Sequence, residues 1–172
     1  MDNGRSRIAG DFRGLNTYTV PDRYSIPKIQ IALTQISQAV YISTVDFLKG
    51  FHQNVVTPRE RKDLRIIVHC EAYEYLRMPS GINNAPSHFQ RVINEIFPEE
   101  LSEVWLIIYI DDIIVCCKTW EEHIYRLFRF LKKIQSVNIN ISLKKCHFGF
   151  NELQALGHVV SGLSLGIEKN KF

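Results

Sequence analysis

The sequence predicts an α+β fold in which an antiparallel sheet carries helices packed on one face. Three observations predict it. The strand signal consists mostly of hairpins rather than of strands separated by crossover helices. The longer helical segments carry their apolar residues on one side. No low-complexity tract, internal repeat or Gly/Ser linker divides the 172 residues, which are enough for one apolar core.

The stretch to Asp22 is turn-rich, with Asp2-Asn3-Gly4, Gly10 and Gly14, and short extended pieces are expected around Ile8 and Phe12. After Pro27, Ile29, Leu33, Ile36 and Val40 recur at near-helical spacing. Tyr41 to Phe47 is rich in β-formers and reads as a strand ending at Asp46. Phe51 to Val56 is expected to be extended. Pro58 to Asp63 opens with Pro and is highly charged, which suits a short solvated helical turn. Leu64 to His69 and Ala72 to Leu76 read as a strand pair. Ser80 to Asn84 is a turn, and Pro86 suits the first turn of a helix running to about Phe97.

Val104 to Ile110 and Ile113 to Cys117 then form an apolar hairpin closed by Asp111 and Asp112. Thr119 and Glu122 make a capping box. The helix they open places Ile124, Leu127, Phe128, Leu131 and Ile134 on one side, with Arg126, Arg129, Lys132 and Lys133 elsewhere. The tail, Asn140 to Gly166, alternates short β-like pieces with glycines.

Composition limits the function classes. Hydrophobic residues make up 45% and charged residues 23%, ordinary values for a soluble domain, and the net charge of +3 is compatible with a polyanionic partner without demanding one. Cys70, Cys116, Cys117 and Cys146 form no CxxC pair, so reduced thiols are expected rather than zinc or a disulfide framework. The polar N-terminus lacks the apolar core of a secretory signal. Val104 to Cys117 is shorter than the roughly 20 apolar residues of a spanning helix and holds two carboxylates. An intracellular chain with no membrane partner is expected, its compartment left open.

Those two carboxylates are the sharpest feature. Asp111 and Asp112 interrupt an apolar run, and burying an unpaired charge costs several kcal/mol, on the order of a domain's whole stability. They must lie at an open turn, find basic partners or hold a cation. A plain hairpin turn is one reading, although two-residue turns favour Asn-Gly or Asp-Gly because φ is positive there. The other reading adds Asp46, at the end of another predicted strand: three hard oxygen donors meeting at one sheet edge suit Mg²⁺. Asp46 by itself reads equally as a strand-end cap or a surface carboxylate.

Five blocks in order then carry a resemblance: D-F-R-G-L-N (Asp11 to Asn16), V-D-F-L-K-G-F-H-Q (Val45 to Gln53), Y-E-Y-L-R-M-P-S-G-I-N-N-A-P-S-H-F-Q (Tyr73 to Gln90), Y-I-D-D (Tyr109 to Asp112) and L-G-H (Leu156 to His158). Together they resemble the reverse transcriptases of gypsy-type (Metaviridae) LTR retrotransposons, from about Gly4 to Gly166.

The resemblance implies a right-hand polymerase palm with partial fingers. The fingers would be residues 1–40 and about 54–84, and the palm 41–53 and about 85–172, through the primer grip. It implies an RNA-directed DNA polymerase acting by two-metal nucleotidyl transfer, with an RNA or DNA template, a primer strand and dNTPs as partners. Asp46, Asp111 and Asp112 would be catalytic and, with the backbone carbonyl of Phe47, would bind two Mg²⁺ ions, Mn²⁺ being an alternative. Arg7, Phe51, Ser80 and Lys145 would face the dNTP, with Lys144 as an alternative to Lys145 and core packing as the alternative for Phe51. Asn84, Pro86, Gln90, Tyr109, Gly157 and His158 would lie against template or primer. Thumb and RNase H regions of a longer polyprotein are expected to be absent from these residues.

Two positions depart from the family's pattern. Ser80 stands where gypsy-type enzymes usually carry Phe, and a lost buried ring would remove about 1–3 kcal/mol of apolar contact. Glu71 stands where Gly in a tight turn is usual, so strain is expected if φ there is positive. Both support a competing expectation, a decayed fragment that folds without catalysis and binds nucleic acid weakly. The three aspartates support activity.

Overall fold

The computed structural model describes residues 9–25 and 29–161 and, as backbone only, 164–167. The chain divides into two compact units, Met1–Arg23 with Lys49–Phe89, and Tyr24–Leu48 with Gln90–Phe172.

The first unit contains α1 (Arg13–Tyr18), α3 (Gly50–Gln53), a 3₁₀ turn (Glu60–Lys62) and the antiparallel pair β2 (Arg65–Val68) and β3 (Glu71–Glu74). The expected strand pair and charged helical turn are both present. Two extended pieces are not. Phe12 accepts a hydrogen bond from the Asn16 amide at 2.8 Å and so opens a helix, while its buried ring meets Tyr75 at 5.7 Å between centroids. Phe51 belongs to the short helix α3, which follows the left-handed Lys49 (φ 52°). Only Val55 of the stretch 51–56 makes a β-bridge, to Arg77. Glu71 is also corrected: it lies in β3, opposite Val68, and the positive φ values fall on His69 (49°) and Cys70 (69°).

The second unit is built on a four-stranded antiparallel sheet in the order β4-β5-β1-β6: β4 (Leu106–Tyr109), β5 (Asp112–Cys117), β1 (Tyr41–Asp46) and β6 (His147–Phe150). Ile113, Ile114 and Val115 in β5 are fully buried, each contributing about 1.5–3 kcal/mol of apolar burial. The central strand therefore has a neighbour on every side. The expected hairpin is present with one shift. Tyr109 pairs with Asp112, so the two-residue turn is Ile110-Asp111, and Asp112 belongs to the ladder because β1 pairs with it from the other side.

The 17-residue helix α6 (Trp120–Ser136) packs on one face of this sheet, and its N-cap is Thr119, whose hydroxyl accepts from the Glu122 amide at 3.3 Å. The apolar side expected for it is rotated. His123, Phe130 and Ile134 are buried, while Ile124 and Phe128 are exposed. A histidine can face inward here because its Nε2 reaches the buried Ser43 hydroxyl at 2.7 Å. Phe130 stacks on Phe97, which follows the helix α4 (Ala85–Ile96) and precedes the short α5 (Pro98–Ser102).

The opposite face carries a layer beyond the expected one. Here α2 (Ile29–Ile36) supplies Ala32, Leu33 and Ile36 to a core shared with Ile42, Ile114 and Cys116 of the sheet. Leu153, Ala155 and Val160 join it from a second antiparallel sheet, β7 (Glu152–Ala155), β8 (His158–Ser161) and β9 (Ser164–Ile167). Among the described residues no helix is long and apolar enough to cross a membrane.

Candidate active site

Sheet register brings the carboxylates together. Asp46 of β1 lies directly opposite Asp112 of β5, and Asp112 lies directly opposite Tyr109 of β4. Opposed residues of antiparallel strands project to the same face. Tyr109, Asp112 and Asp46 therefore form a row across three strands, with Asp111 in the turn beside it. This is the face that carries α2 and the second sheet, and Asp46 and Asp112 border a cavity of about 550 Å³ with Lys145, Glu152 and Gly157.

The turn itself is strained. Ile110 has φ 55°, a left-handed conformation that a β-branched side chain adopts only under constraint, at a cost on the order of 1–3 kcal/mol. The constraint is Gln90. This side chain is completely buried. Its Oε1 accepts the Ile110 amide at 2.9 Å, and its Nε2 donates to the Ile108 carbonyl at 3.2 Å and to Asn94 Oδ1 at 3.0 Å. One amide thereby does the work of a neighbouring strand for the outer edge of β4. Asn94 in turn donates to the Tyr24 hydroxyl at 2.9 Å.

The electrostatics are those of crowded acids beside the Lys145 ammonium. Burial lifts the Asp111 carboxyl above its ordinary range, the charges of Asp46 and Asp112 add to the lift, and the Lys145 ammonium opposes it. Asp112 is raised by burial and then by Asp46, again against Lys145. Lys145 closes a 3₁₀ turn (Leu143–Lys145), and its Nζ lies 3.2 Å from Asp46 Oδ2 and 3.4 Å from Oδ1.

Residues 2–160 of the chain match the family described as "Reverse transcriptase (RNA-dependent DNA polymerase)". The chain belongs to that family. It is related to the Pol polyproteins of gypsy-type LTR retrotransposons. Among its relatives in Drosophila melanogaster, the retrovirus-related Pol polyprotein from transposon 297 is 37% identical over 90% of this chain. The one from transposon gypsy is 31% identical over 92% of it. The chain spans 14% and 15% of the length of these two relatives. Its fold matches that of the foamy viral protease-reverse transcriptase with a TM-score of 0.83, at 22% identity, over 92% of this chain and 21% of that one.

Reverse transcriptases typically use a divalent metal, and the carboxylates of this domain suit one. Asp111 Oδ1 is buried without a hydrogen-bond partner, and an orphaned carboxylate oxygen beside two further carboxylates is an arrangement that a hard cation satisfies. Among the described residues, no group of three or more His, Cys, Asp or Glu side chains is already arranged to hold an ion.

The remaining residues named from the sequence fall in several places. Arg7 lies outside the described residues. Phe47 is buried and bridges to Ile141. Phe51 packs edge-to-face on Phe89 at 5.4 Å, within the first unit. In that unit Ser80 is exposed beside the left-handed Gly81 (φ 95°), and Pro86 lies in the first turn of α4. Asn84 commits its amide to the stretch that follows α1, accepting from the Asp22 amide and donating to the Val20 carbonyl, each at 2.9 Å. Gly157 (φ 76°) occupies the β7–β8 turn and His158 opens β8. Sequence reasoning placed Gln90 near the template, whereas its enclosed amide holds the Ile110 turn. The signal available was a Gln on the apolar side of a helix, between Phe89 and Ile93. Ser43 and His123 gave no such signal, since neither stands out until strand and helix are brought together.

Proposed function

We propose that this reverse transcriptase domain extends a primer with deoxynucleotides along an RNA or DNA template by two-metal nucleotidyl transfer. The observation that carries the reading is the register pairing of Asp46 with Asp112, with Asp111 in the adjoining turn. Divalent ions bound there would activate the primer 3′-hydroxyl and neutralise charge on the leaving pyrophosphate. The chain's own contribution is to hold three carboxylates at one sheet edge and to keep the hairpin tip fixed through Gln90. Lys145 supplies the nearby positive charge for the triphosphate end, and Tyr109, Gly157 and His158 form the primer side.

In this reading β1, β4 and β5 are the palm core, and the β2–β3 pair with its preceding charged turn belongs to the fingers. Phe51 acts as a wall against a 2′-hydroxyl, the steric exclusion by which a site rejects the wrong sugar. Nucleic acid is the partner, held mainly through its phosphates and therefore in a salt-dependent manner. The foamy viral protease-reverse transcriptase to which the chain is similar is itself described in complex with an RNA/DNA hybrid.

The test is Mg²⁺-dependent primer extension on an RNA template, with this chain and with one lengthened by thumb residues. Asp111→Asn should fold normally and lose extension by at least about a hundredfold, the scale on which charge stabilisation acts in active sites. Undiminished extension by that variant removes the catalytic assignment. The competing reading, a fragment that folds without catalysis, now leans on Ser80, because Glu71 lies in a strand with no positive φ. It wins if the lengthened chain is also inert and Ser80→Phe does not restore activity.

A further inference from the structure

Lys145 and Asp46 are joined twice, once through backbone and once through side chains. The Asp46 carbonyl accepts the Ser142 amide at 2.8 Å, and the Ser142 carbonyl accepts the Lys145 amide at 2.9 Å. Two more links continue the run, a bridge between Phe47 and Ile141 and a bond from the Leu48 amide to the Asn140 carbonyl at 2.9 Å. The backbone around Asp46 thus builds the turn that returns Lys145 to the Asp46 side chain, where the ammonium lies 3.2 Å from Oδ2. A flexible lysine is placed by three successive pairs of backbone residues rather than by a chance surface encounter.

We propose that Lys145 and a divalent cation compete for Asp46, so that the ammonium is an internal counter-ion which metal binding displaces. The proposal rests on the functional reading above and deepens it. Three carboxylates at one edge repel one another, and a cation close to Asp46 relieves that repulsion. An ammonium offers one charge and no coordination geometry, whereas a divalent ion offers two charges and gathers several oxygens. The divalent ion therefore wins Asp46 when it is present, and Lys145 keeps its charge and is released towards solvent. Its side chain is 67% exposed, so release gives up little covered surface. The released ammonium remains tethered beside the cavity, ready for an anionic group arriving with the ion.

The experiment titrates the 172-residue chain with Mn²⁺, reading bound ion by electron paramagnetic resonance, and follows the lysine side-chain NMR signals during a Mg²⁺ titration. Lys145→Met should bind Mn²⁺ about fivefold more tightly than the unaltered chain, the scale of an exposed ion pair. Lys144→Met, which removes an equal charge from the exposed neighbouring residue, should change affinity by less than about twofold at moderate salt, where exposed charges are screened. The Lys145 signals should move as Mg²⁺ is added and those of Lys144 should not. Equal affinity of Lys145→Met and the unaltered chain, an equal gain in Lys144→Met, or motionless Lys145 signals would overturn the competition while leaving the carboxylate site intact. If Asp46→Asn binds Mn²⁺ as tightly as the unaltered chain, or if neither binds it, the functional reading fails and the competition falls with it.

Discussion

Two hairpins of this chain turn on two residues without glycine, and they are held in opposite ways. The β2–β3 turn, His69-Cys70, has both residues at positive φ, the backbone geometry that two-residue hairpins adopt most readily. Apart from the partly covered Ile66, its strands are exposed, with Ile67 at 77% and Tyr73 at 50%. The β4–β5 turn, Ile110-Asp111, has only its first residue at positive φ, a pattern that favours glycine and receives isoleucine. Its strands are buried, and Gln90 holds its tip. A comfortable turn can stand almost alone. A strained one persists because its surroundings over-determine it, and here that strained turn carries a carboxylate.

The largest expected break in this contrast is Gln90→Ala. It strips partners from the Ile110 amide and the Ile108 carbonyl, so unfolding free energy should fall by about 2–4 kcal/mol in urea titrations. Exchange of the Ile110 amide should accelerate while β2–β3 amides are unaffected. A loss below about 0.5 kcal/mol would mean that the tip holds itself.

A smaller effect follows from pH. Burial lowers the His123 pKa from its ordinary 6.5, so the unfolded chain takes up the proton more readily than the folded one. The stabilising contribution is complete above 6.5 and is lost as pH falls through and below that value. Protection of Leu106–Cys117 amides should decline in that window. A His123→Gln variant should show a flatter pH slope.

Replacing His69-Cys70 by Asn-Gly should stabilise the exposed hairpin by about 1 kcal/mol, because the left-handed penalty on two side-chain-bearing residues is removed. Differential exchange across β2 and β3 reads this out. The smallest energetic effect, near zero, belongs to alkylation of Cys70. Its exposed thiol should react first, well ahead of Cys116, which is buried and whose thiol is pushed up to about 12.

The sequence made β1 legible to the residue, because a run of β-formers stops at a carboxylate. It misplaced the neighbouring turn by one position. Two adjacent aspartates look alike as turn residues, and only pairing on both sides keeps Asp112 in the ladder. The buried side of α6 was misread for a related reason. Hydrophobicity ranks Ile124 above His123, but the Ser43 hydroxyl inverts that order. Phe12 caps a helix and Phe51 lies in one, where the sequence predicts extended chain, because each ring is anchored by a tertiary partner, Tyr75 for Phe12 and Phe89 for Phe51. Lys145 could not be separated from Lys144 because the phase of a three-residue turn is invisible in sequence.

One consequence of the β1–β5 pairing concerns folding errors. Side chains alternate across a strand, so a slip of a single position would swing Asp46 to the far side of the sheet while Asp112 stayed behind. No partial loss is available at that step. The same slip would turn Ile42 out of the core it shares with Ile114 and take the Ser43 hydroxyl away from His123, so the packing that stabilises the strand also keeps the two aspartates on one face.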